Sequence, residues 1–235
     1  MTDLLTPLEW EALSLSLKVA VWATVASLPF GLATAWLLAR TRFPGHGLLN
    51  AAVHLPLVLP PVVVGWALLV VLGRSGLVGG WLYDVFDVTI AFTWKGAAIA
   101  AAVMAFPLMV RAMRLSLEAV DPGLEAAART LGASPIRAFF TITLPLMLPG
   151  VVTGSVLAFA RALGEFGATI TFVSNIPGET RTLPLALYSF TQVPGGEAGA
   201  ARLAVIAVIV ALAALVVSEV LAKRVKRMTE GGDHG

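Results

Sequence analysis

The sequence predicts an all-α, polytopic membrane protein, and three observations carry that prediction. Apolar residues fill 58% of the 235 positions and charged residues only 13%, against about half and about a quarter in a soluble domain. The apolar residues gather in runs long enough to cross a hydrocarbon core of about 30 Å, which takes about 20 residues of helix. Lys and Arg collect beside those runs with a bias to one side. Mean hydropathy is +0.88, and residues 1–235 read as a single transmembrane domain.

Five runs meet the length requirement. The first, Ala12–Ala39, holds Lys18 near one end. The segment before it, MTDLLTPLEWEA, is acidic where a signal peptide is basic, so this run is expected to stay as an anchor. The second, Leu48–Leu72, is broken by Pro56, Pro60 and Pro61, each of which lacks the N–H a helix needs. The third, Val88–Val110, contains Lys95 and Pro107, and the fourth, Phe139–Ala160, contains no charge. The fifth, Leu203–Leu221, has Glu219 close to its end. Between the last two, residues 163–193 contain two apolar stretches, each too short to cross alone. They are expected to form short, partly inserted helices, since irregular backbone at that depth must be buried in protein or line a cavity.

Charge placement predicts the orientation. Arg40 and Arg42 follow the first run, Arg111, Arg114, Arg129 and Arg137 separate the third from the fourth, and Lys223, Arg224, Lys226 and Arg227 follow the fifth. That puts ten of the sixteen Lys and Arg on one side, which the positive-inside rule makes cytoplasmic. The N-terminus is then outside and the C-terminus inside, which requires an odd number of crossings. Five satisfies it.

Composition also excludes classes of chemistry. With no cysteine there is neither a disulfide scaffold nor a thiolate metal site, and His46, His54 and His234 are too scattered for a histidine metal cluster. The net charge of +2 argues against a nucleic-acid face. No G-x4-G-K-[ST] phosphate loop occurs, so any ATP chemistry must sit on a partner.

The segment between the third and fourth runs, EAVDPGLEAAARTLGASPIRAFFTITLP, is the most informative. Asp121 suits a helix N-cap with Pro122 in the first helical position. The helix should run to Leu131 and stop at Gly132, the residue type that takes a left-handed C-terminal turn without penalty. Ser134 and Pro135 repeat the start signal, so residues 121–137 make an elbow. Leu124, Ala128 and Leu131 share one face of its first helix, and the small Ala126, Ala127 and Ala128 let another surface approach closely.

Within it, A-A-A-x-x-x-G-x9-I-x-L-P, with Gly132, Ile142, Leu144 and Pro145, resembles the coupling motif E-A-A-x-x-x-G-x9-I-x-L-P of bacterial ABC-importer permeases. The resemblance implies that Glu125, Ala126, Ala127, Ala128, Leu131, Gly132, Ser134 and Pro135 form a coupling helix that docks on a cytoplasmic ATPase. One position departs: the motif's glutamate position is Ala126, and the glutamate stands at Glu125. A shift of one residue turns a side chain by about 100° around a helix, so Glu125 cannot make the same contact without rotation.

The similarity covers roughly residues 10–225. HLPLVLPPVVVGWALLVVLGRSG (54–76) and ARALGEFGATITFVSNIPGETRTLPLALY (160–188) look like the molybdate-importer permeases, with sulfate/thiosulfate permeases as close relatives sharing a GE-[FY]-G element. The continuation Asn175–Tyr188 favours molybdate, with tungstate indistinguishable from it. This resemblance implies a homodimer working with two ABC ATPase subunits and a periplasmic oxyanion-binding protein in the bacterial inner membrane. It implies no cofactor on this chain, with ATP and magnesium on the partner.

Candidate path residues follow from the chemistry of a tetrahedral oxyanion, which needs N–H, hydroxyl or cationic groups that hold it weakly. Pro60, Pro61 and Gly65 interrupt helix and can aim a helix N-terminus at an anion, or they are ordinary kinks and close-packing points. Thr169 and Thr171 can line a path or bond their own helix. Arg161 and Glu165, four apart, can pair on one face as a structural ion pair or as part of a gate. Arg74, Glu179 and Arg181 fall in outer loops, where solvation competes with contact to a binding protein.

Two other classes fit less well. Gly73-Arg74-Ser75-Gly76 matches the G-x-S-G of rhomboid-type intramembrane proteases, but His54 lies 21 residues earlier, about 30 Å along a helix, and Ser75 sits in a glycine-rich turn. An ion-coupled transporter or channel would be expected to show intramembrane carboxylates or inverted repeats. The first four runs have no Asp or Glu in their central thirds.

Overall fold

A computed structural model of the chain describes residues 5–230, apart from the side chains at 218, 219 and 221–230. The readings that rest on Glu219, Lys223, Arg224, Lys226, Arg227 and His234 lie outside the described side chains. The described fold is all-α.

Helix α1, Pro7–Arg40, starts earlier than its apolar run because Thr6 and Glu9 form a capping box. The Thr6 hydroxyl accepts from the Glu9 N–H, and the Glu9 carboxylate accepts from the Thr6 N–H at 2.8 Å. At 34 residues it reaches about 51 Å. Lys18 lies over the Trp94 ring, 3.6 Å from its centroid, so the charge is held at an aromatic face.

The second expected run is two helices, α2 (His46–Val58) and α3 (Pro61–Leu72), bent by 116°. The cause is local. Leu59, which precedes a proline, is extended, and neither Pro60 nor Pro61 can donate back into α2. With 13 and 12 residues, neither helix reaches about 30 Å alone, so this run counts as a crossing only as a bent pair. A further helix, α4 (Leu77–Phe86), follows, where the sequence suggested only a turn and a loop.

The third run needs correction at both ends. Residues 88–93 are not helical, and α5 runs Trp94–Glu118. The Thr93 hydroxyl, which accepts from the Gly96 N–H, fixes the later start. The later end places Arg111 and Arg114 on the helix. Arg114 bonds Glu118 at 2.7 Å and Asn50 of α2 at 3.1 Å.

After the elbow helices α6 (Pro122–Thr130) and α7 (Pro135–Ala138), the chain passes through one π-helical turn, Phe139–Thr143, into α8 (Leu144–Leu163). Pro145 explains the wide turn: it cannot donate to Thr141, and the Leu144 N–H reaches back five residues to the Phe139 carbonyl. Residues 163–193 hold two short helices, α9 (Gly167–Val173) and α10 (Leu183–Thr191), as expected. The final helix α11, Glu197–Glu230, starts six residues before its apolar run.

Among the described residues, four helical stretches are long and apolar enough to cross a membrane, and the bent α2–α3 pair makes up to five. Helix α5 is the most enclosed of them and α11 the least. The interior face of α5 explains its place at the centre. Ala97, Ala100, Ala101 and Ala105 let α1 and α8 approach closely, and Met104, Met109 and Met113 fill the gaps between them. Helix α11 packs on α8 and α10 and leaves Val205, Val208, Ile209 and Leu212 exposed, as a lipid-facing helix requires.

Candidate functional site

The elbow forms as its sequence dictates. The Asp121 carboxylate accepts from the Gly123 N–H at 2.8 Å and Pro122 opens α6. The helix closes with both bonds of a Schellman turn, Gly132 N–H to the Arg129 carbonyl and Ala133 N–H to the Ala128 carbonyl, with Gly132 at φ +92°. Ser134 then accepts from the Arg137 N–H at 3.2 Å and Pro135 opens α7.

Helix α6 buries none of its residues. Leu124, Ala126, Ala127, Leu131, Gly132, Ser134 and Pro135 are exposed, and Ala128 is half-buried. With Leu131 89% and Ile136 72% exposed, the elbow presents apolar side chains outward, a surface suited to a protein partner. The expected face of Leu124, Ala128 and Leu131 is thus largely open.

Glu125 points the other way. One carboxylate oxygen accepts from the Thr143 hydroxyl at 2.6 Å and lies 3.5 Å from Arg40 at the end of α1. Arg40 also donates to the Val120 carbonyl at 3.0 Å. One acid therefore joins α1, the elbow and the π-helical turn. Sequence reasoning gave no role to Arg40 beyond a positive edge, and none to Thr143, the unspecified position of I-x-L-P. A partner 85 residues away carries no local signal.

The path candidates fall into two neighbouring groups. Pro60 and Pro61 form the bend, and Gly65 packs α3 onto α9 so closely that an added Cβ would stand 2.5 Å from the Ala168 carbonyl oxygen and 2.9 Å from Thr171. Thr171 donates to the Gly167 carbonyl of its own helix at 2.8 Å, and Thr169 is buried. Close packing thus accounts for Gly65, and self-bonding for Thr171.

Arg161 and Glu165 approach to 2.6 Å. Glu165 is buried, its second oxygen accepting from the Ala168 N–H at 2.8 Å, while Arg161 keeps 28% of its side chain exposed. The acid thereby caps the start of α9 and fixes the arginine, leaving a cation partly open. In the segment between α9 and α10, Glu179 accepts from the Trp94 N–H at 3.1 Å and Arg181 donates to Asn175 at 3.0 Å. Both are tied to the fold where solvation was an open alternative. Arg74 lies over the Tyr83 ring, 4.0 Å from its centroid.

Residues 27–227 match the family described as the binding-protein-dependent transport system inner membrane component. The molybdenum transport system permease protein ModB of Escherichia coli (strain K12) is 63% identical over 228 residues, 97% of this chain and 99% of that one. Its counterpart in Haemophilus influenzae is 58% identical, over 96% and 99%. The sulfate transport system permease protein CysT of Escherichia coli (strain K12) is 38% identical over 83% of this chain and 70% of its own. Two solved structures share the fold: a bacterial alginate ABC transporter in complex with an alginate-bound periplasmic protein (TM-score 0.73, 16% identity, 94% of this chain and 80% of that one) and the inward-facing MetNI methionine ABC transporter (TM-score 0.67, 17% identity, 93% and 94%).

Proposed function

The chain belongs to the binding-protein-dependent transport system inner membrane components, and from this we propose that it is the membrane-spanning permease of an ABC importer for molybdate. The observation that carries the substrate is end-to-end identity of 63% to a molybdenum permease, against 38% over a shorter stretch for a sulfate permease. Tungstate, of the same shape and charge, shares the route.

On this reading the chain sits in the bacterial inner membrane with its N-terminus outside, and residues 121–137 face the cytoplasm. The chain is a transport subunit rather than an enzyme: ATP and magnesium are handled by two partner ATPase subunits. Two copies enclose the pathway, because the few helices of one chain are too small a bundle to surround a hydrated ion, and a periplasmic protein delivers the oxyanion. The open face of α6 and α7 receives the ATPase. Its closure tilts the elbow and, through it, the π-helical turn and α8. Selectivity rests with the delivering protein, and the partly open Arg161 gives the dianion a weak electrostatic foothold in transit.

The test is uptake into proteoliposomes holding this chain, its ATPase and the binding protein. ATP-dependent accumulation of molybdate but not sulfate is expected. Equal accumulation of sulfate would move the substrate to the second reading, and uptake without ATP would overturn the importer itself.

A further inference from the structure

We propose that Glu125 is a positioning residue that transmits movement of the elbow into the membrane helices, rather than a residue of the ATPase-docking face; this rests on the importer reading above. Three observations converge. First, α6 buries none of its own residues, so no apolar anchor sets its place against the bundle. Second, its acid is turned inward onto Thr143, which is fully buried, at 2.6 Å. Third, the same oxygen lies 3.5 Å from Arg40, whose Nη2 also holds the Val120 carbonyl just ahead of α6. The Arg40 Nε is enclosed with no hydrogen-bond partner among the described residues, so without Glu125 the guanidinium keeps only the Val120 carbonyl.

The consequence is mechanical. Thr143 ends the π-helical turn and leads directly into α8, which packs along α5 and α1. A π-turn is a place where helix register is soft, so a pull on Thr143 bends or re-registers the start of α8 instead of being absorbed. Arg40 delivers the same pull to the end of α1. The carboxylate thus links an exposed, unanchored helix to two long helices of the bundle, while Leu124 and Leu131 remain free for the partner.

The test uses the full complex of this chain, its ATPase and the binding protein in proteoliposomes, with ATPase co-purification, basal hydrolysis and substrate carried per ATP measured separately. Glu125→Ala is expected to retain the ATPase and keep basal hydrolysis within about twofold, while substrate carried per ATP falls at least about tenfold. Thr143→Val should behave likewise, Thr143→Ser should restore coupling, and Glu125→Ala with Thr143→Val should be no worse than either alone, as members of one contact are. Loss of the ATPase from Glu125→Ala complexes would overturn the proposal in favour of direct docking. Unchanged substrate per ATP, or multiplying effects in the double variant, would also overturn it. Should Glu125→Ala fail to fold, equal coupling by Thr143→Val and Thr143→Ser would be the overturning result. Failure of the unaltered chain to bind any ATPase would instead defeat the importer reading.

Discussion

At Gly132 the backbone adopts φ +92°, and nothing stands within 4 Å of where a Cβ would be. The demand there is for conformation and not for space. A left-handed residue other than glycine costs about 1–2 kcal/mol, and Asn bears it best. Gly132→Leu is therefore expected to lower uptake strongly at normal expression, with Gly132→Asn nearer the original; equal uptake by the two would show that the turn is dispensable. Gly65 poses the opposite demand, because a Cβ would meet the backbone of Ala168. Gly65→Ala should lower the thermal midpoint of the purified protein by several degrees, an effect of overpacking of about 1–3 kcal/mol. An unchanged midpoint would mean that α3 and α9 can separate freely. Both glycines stood out in the sequence, Gly132 as a helix-ending turn and Gly65 as either a path residue or a close-packing point, but the sequence did not name what Gly65 packs against. A C-terminal turn is written in its neighbours, whereas the partner of Gly65 lies about a hundred residues on.

The elements show the same division between local and distant causes. Caps at Asp121 and Ser134, the Schellman turn at Gly132 and the two short helices within 163–193 were legible, because each depends on residues within one or two turns. The prolines at 60 and 61 announced a break but not its 116° angle, which depends on α3 finding α9. Helix α4 escaped notice because Gly79 and Gly80 weaken its pattern, and the start of α5 was set by the Thr93 cap against an apolar run that began earlier. The inward turn of Glu125 was out of reach, since it depends on where the end of α1 comes to lie. One element-scale prediction concerns the docking face. Ala126 is exposed on α6, so Ala126→Glu, which restores the motif acid, should leave ATPase binding and uptake within about twofold. Loss of assembly would mean that the partner meets this helix in a rotated register.

For the whole molecule, the charge bias predicts an inward C-terminus. A fluorescent reporter that matures only in the cytoplasm, fused after Glu230, should be bright, and an alkaline phosphatase fused there inactive; the reverse pattern would invert the topology and move the elbow to the wrong face. Docking of the ATPase on residues 121–137 is directly accessible to cross-linking, because the sequence contains no native cysteine. Single cysteines at Leu131, Leu124 and Phe43 would be introduced into the complete importer and exposed to a short thiol-to-amine linker. Efficient cross-links to the ATPase are expected from Leu131→Cys and Leu124→Cys, altered by trapping nucleotide with vanadate, and little from Phe43→Cys. Cross-links from Phe43→Cys alone, with none from the elbow, would show that the ATPase docks elsewhere.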